Sequence, residues 1–105
     1  VAERVPEHIA RDLSAKAARD CGDRLQQTLQ LLGNPNDRFL VSLSATAALI
    51  GATVGAMQKS QPQRTADDHA AFLMDALLKP MVAGLLAGHS PERIVADAYG
   101  EARRG

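Results

Sequence analysis

FLVSLSATAALIGATVGAMQ, residues 39–58, runs without a single charged side chain. Wound as a helix, it sorts its residues by size. Leu43, Ala47, Ile50, Val54 and Met57 recur at 4-3-4-3 spacing, and Ser44, Ala48, Gly51 and Gly55 recur at 4-3-4 on the other side. Large side chains seek grooves and small ones permit close backbone approach, so the spacing predicts a helix covered on both faces at the centre of the molecule.

Outward from this stretch, punctuation residues divide the chain. Gly33-Asn34-Pro35-Asn36-Asp37 reads as a helix stop, a turn and a cap, with Asn36 or Asp37 as N-cap, so the central helix is predicted over about 37–59. Upstream, Pro6 suits the first turn of a helix, and Val5, Ile9 and Leu13 share one face. Glu7 with Arg11 and Asp12 with Lys16 form acid-first pairs one turn apart. The apolar stripe continues through Ala17, Cys21, Leu25 and Leu29 in steps of four and so drifts around the axis, which predicts a kink or break near Gly22, with Asp23 capping a new helix beyond it. Downstream, Thr65 and Asp68 form a capping box for a helix over about 66–87, whose stripe is Met74, Leu78, Met81 and Leu85. Pro80 lacks an N–H, and its ring crowds the carbonyl of Ala76, so this helix is expected to bend or divide near Lys79. Gly88 closes it, and Ser90-Pro91 starts a last helix carrying Ile94, Val95, Ala98 and Tyr99; residues 100–105 are expected to fray.

The fold expected is all-α, a small bundle of four to five helices in one domain over 1–105, with the central helix packed antiparallel on the proline-containing one. Composition agrees. At 46% hydrophobic and 3% aromatic residues, the core must be built from Leu, Ala, Val, Ile and Met, a set better suited to helices than to several strands.

Twelve basic residues balance twelve acidic ones, so no long-range field draws the chain to nucleic acid or to an anionic membrane. Cys21 is the single cysteine, which excludes an internal disulfide and a four-thiolate zinc site and fits a reducing, cytoplasmic setting. A small buried or half-buried thiol is expected there, since no histidine stands near it in sequence to activate it. Val1 to Val5 show no signal-peptide pattern.

Chemistry-bearing motifs are few. His8, His69 and His89 form no ligand spacing, and Asp67-Asp68 are explained by helix capping. None of the eight glycines builds a phosphate loop. Residues 84–99 have the outline of a helix-turn-helix, but Glu92, Arg93 and Asp97 mix their signs where a base-reading helix presents donors. No catalytic, cofactor-binding or metal-binding residue is therefore assigned, no cofactor is expected, and the chain is not expected to be an enzyme.

What the pattern supports is a non-enzymatic intracellular interaction module, an adaptor, regulator or accessory subunit, working as a homodimer and with a further protein partner. Its seam would be Leu43, Ala47, Ile50, Val54, Met57, Met74, Leu78, Met81 and Leu85, and its close-packing face Ser44, Ala48, Gly51 and Gly55. Two alternatives remain. The uncharged run, at about 1.5 Å per residue, reaches across a bilayer core of about 30 Å, although Ser42, Ser44, Thr46 and Thr53 dilute it and no Trp or Tyr anchors its ends. Room beside Gly51 and Gly55 would also suit a helical regulator that senses a small apolar ligand.

Overall fold

The computed structural model describes residues 4–104. The chain is all-α, with four helices and no strand among the described residues: α1 (Glu7–Leu29), α2 (Pro35–Ser60), α3 (Ala66–Leu86) and α4 (Pro91–Arg104). Val1, Ala2, Glu3 and Gly105, on which the absence of a leader and part of the frayed tail were expected, lie outside the described residues.

α1 runs unbroken through Gly22, so the break expected there as one of two alternatives does not occur. A single helical glycine costs only about 1 kcal/mol, and the Ala-, Arg- and Leu-rich turns on either side carry it. Arg11 pairs with Glu7 at 3.1 Å, but Lys16 turns away from Asp12 and pairs with Asp20 at 2.6 Å. Cys21 is exposed on this helix, not half-buried as expected.

The cap of α2 is Asn34, one turn element earlier than the sequence suggests. Its Oδ1 accepts from the backbone N–H groups of Asn36 at 2.8 Å and Asp37 at 3.2 Å, while Pro35 occupies the first helical position, where no N–H is needed. The capping box of α3 forms as expected: Asp68 N–H donates to Thr65 Oγ1 at 3.1 Å, and Thr65 N–H donates to the Asp68 carboxylate at 3.4 Å.

Pro80 does not divide α3. Residues Phe72–Leu78 adopt a π-helix, with Lys79 N–H donating to the carbonyl of Met74, and α-helix resumes at Lys79. The missing donor is absorbed by a change of register ahead of the proline. The helix ends at Gly88, whose φ of +86° is open to glycine without strain; Gly88 N–H donates to Leu85 O at 3.1 Å and His89 N–H to Gly84 O at 3.0 Å, the pairing of a Schellman turn. Ser90 Oγ then accepts from Arg93 N–H at 3.2 Å to open α4.

Among the described residues the chain forms two compact units, one of 4–20 with 71–104 and the other Cys21–Ala70. In the first, Leu73 and Ile94 are buried where the π-helical part of α3, its α-helical end and α4 meet. Gly84 lies at this crossing, and a Cβ placed on it would run into Ile94 Cδ1. The start of α1 joins the end of α4 through Arg103, which stands 3.7 Å from the Glu7 carboxylate with its guanidinium 5.9 Å from the Tyr99 ring centre. These contacts hold helix through Arg104, where fraying was expected. In the second unit Leu29 and His69 are buried.

Two substitutions separate an open glycine from a packed one. Gly22→Ala, with nothing within 4 Å of the added methyl, should raise stability in urea unfolding by about 0.5–1 kcal/mol. Gly84→Val forces Ile94 from its place and should cost about 1–3 kcal/mol. At the start of α2, Asn34→Ala should cost about 1 kcal/mol by the same measurement.

Candidate interaction surface

The feature that distinguishes α2 is what it leaves uncovered. Across its 26 residues none is buried. Phe39, Leu40, Leu43 and Leu49 remain at least half exposed, at 59%, 50%, 52% and 52%. In the large stripe Ile50, Val54 and Met57 are half-buried, whereas Leu43 and Ala47 are exposed. On the small stripe Ser44, Ala48 and Gly51 are exposed and Gly55 is half-buried; a Cβ on Gly51 or Gly55 would meet nothing within 4 Å. Among the described residues of the unit Cys21–Ala70, the cover expected on both faces is thus not supplied.

The polar groups of this surface satisfy themselves. Ser42 donates to Arg38 O at 2.8 Å, Ser44 to Leu40 O at 3.1 Å, Thr46 to Ser42 O at 2.9 Å and Thr53 to Leu49 O at 2.8 Å. Each hydroxyl returns to the carbonyl one turn back, so removing water from α2 strands none of these donors. The hydroxyls that dilute the run's apolar character in sequence carry little desolvation penalty in place.

On α3 the stripe read from α-helical spacing meets the π-helical segment, where a turn takes more residues than 3.6. Met74 and Leu85 are exposed, Leu78 and Met81 are half-buried, and the buried positions of α3 are His69, Leu73 and Gly84. Leu73 was missed because the register change is set by Pro80 and not by the stripe itself; Gly84 was missed because a glycine near a helix end reads equally well as part of the stop.

A cleft of about 760 Å³ lies in the unit of 71–104, lined among others by Pro80, Gly84, His89, Ile94, Asp97 and Glu101. Its carboxylates are already matched by neighbours on their own helices: Asp75 with Lys79 at 3.2 Å, Asp97 with Arg93 at 3.7 Å and Glu101 with Arg104 at 2.8 Å. His8 is exposed, His89 half-buried and His69 buried. No group of three His, Cys, Asp or Glu side chains among the described residues is placed to hold a metal ion. Comparison with known proteins finds no match, whether among family models, curated proteins or solved structures.

Proposed function

We propose that the chain is a non-enzymatic protein-interaction module, an adaptor, regulator or accessory subunit, that self-associates through α2 and offers further helical surface to another protein. One observation carries this: a 26-residue helix, uncharged from Phe39 to Gln58, has no buried residue, and every hydroxyl of that uncharged run donates to its own backbone. Such a surface is stable in water only when something apolar covers it. Exposed methionine at Met74 and half-buried Met57 and Met81 add adaptable apolar surface. An intracellular, cytoplasmic setting suits the exposed, unpaired Cys21.

A second reading has its own observation. α2 and α3 are both long and apolar enough to cross a membrane. Against lipid as the cover stand Asp75 and Lys79, exposed within α3, since a charged side chain at mid-membrane costs about 2.5–3.5 kcal/mol on insertion scales. α2 also lacks Trp or Tyr at its ends.

Light scattering on a sizing column in detergent-free buffer, over a concentration series, separates the two. The expected result is the mass of a dimer that dissociates on dilution. A monomer at every concentration overturns self-association, and a chain that stays in solution only with detergent transfers α2 and α3 to the membrane.

A further inference from the structure

We propose that the small-residue face of α2, the face centred on Ala48, is covered by a second copy of the chain lying antiparallel to it; this rests on the self-association proposed above and adds its direction and register. At about 100° per residue, Val41, Ser44, Gly51 and Gly55 all point within about 60° of Ala48, as do Asp37 in the first turn and Lys59 in the last. One face of α2 therefore carries a negative charge at one end, a positive charge at the other and none between. Among the described residues neither Asp37 nor Lys59 has an ion-pair partner in its own chain.

Asp37 and Lys59 stand equally far from Ala48 in sequence. A two-fold axis at Ala48 sets Asp37 of each copy against Lys59 of the other, twice per dimer, and opposes the two helix dipoles. A parallel pair sets Asp37 on Asp37 and Lys59 on Lys59. Charge thus selects the antiparallel direction. Size agrees with it, because the same axis places Val41 opposite Gly55, a branched side chain against a position where added bulk meets open space, and Ala48 against itself. A foreign partner finds no charge between the ends of this face by which to be chosen, whereas a second copy finds its own complement.

The test uses the full chain with Cys21→Ser. Val41→Cys chains are mixed with Gly55→Cys chains of distinguishable mass and oxidised; across the mixed pair, two cysteines replace one valine and one glycine, which keeps the packed volume close to that of the original. The expected product is the 41–55 disulfide. Like positions lie about 20 Å apart in this register, so Val41→Cys chains should not link to one another. As a second measurement, Asp37→Lys and Lys59→Glu chains should each dimerise about tenfold more weakly than the unmodified chain at low salt, and mixing the two should restore dimerisation.

Self-linkage of Val41→Cys chains would make the pair parallel, and a dimer by light scattering that yields no 41–55 disulfide would put the sister copy on another face. Either result overturns this arrangement while leaving self-association in place. A monomer by light scattering removes self-association itself, and solubility only in detergent makes lipid the occupant.

Discussion

Keeping water away from α2 is the constraint on which the rest of this molecule depends. The helix forms because nothing in residues 35–60 resists it: Asn34 caps the start, Pro35 sits at the first position and the interior is rich in alanine and leucine. Its surface is then left uncovered by the described residues of its own unit. Fully burying a large apolar side chain contributes about 1.5–3 kcal/mol, so covering the exposed halves of Phe39, Leu40, Leu43 and Leu49 would contribute about 3–6 kcal/mol in all. Bringing two chains together costs about 4–15 kcal/mol, so these four side chains alone do not hold a permanent dimer. In a pair formed across Ala48, Phe39 and Leu43 lie on the far side of the helix, so such a pair would rest on small side chains and its strength would follow concentration.

The legible parts of the fold are those written in short-range chemistry. The box between Thr65 and Asp68, the serine cap at Ser90 and the left-handed Gly88 each involve residues within a few positions of one another, and each appears where the spacing places it. Where two local signals compete, the outcome depends on which arrangement leaves fewer donors unmet and fewer helices to nucleate. Asn34 wins the cap of α2 over Asn36 and Asp37 because Pro35 then stands at a position that wastes no donor. Gly22 loses to its helix-forming neighbours because propagation through one glycine costs less than nucleating a second helix.

Burial was harder to read, for a reason visible at Pro80. A periodic stripe predicts a face only while the helix keeps one period, and seven residues of π-helix between Ala71 and Lys79 end that condition. The side chains at Met74 and Leu85 were therefore expected at a seam, while burial falls on Leu73 and on the glycine that lets Ile94 approach. On α2 the α-helical period holds throughout; what the spacing does not contain is what covers its stripes.

The serine and threonine hydroxyls sharpen that last point. Had they faced outward as unpaired donors, a dry partner surface would have had to supply acceptors, and the partner's chemistry could be read from their positions. Because all four return to their own backbone, the side chains of α2 between Arg38 and Gln58 place no polar demand on a cover. Apolar protein and lipid are then equally acceptable along the length of the helix, and the discrimination passes to its charged ends. Asp37 and Lys59 lie on one face with opposite sign, which a lipid headgroup layer symmetric about the helix centre does not match and an antiparallel copy does. If a sister copy is that cover, two side chains at the margins of the surface would select it while the interior is indifferent.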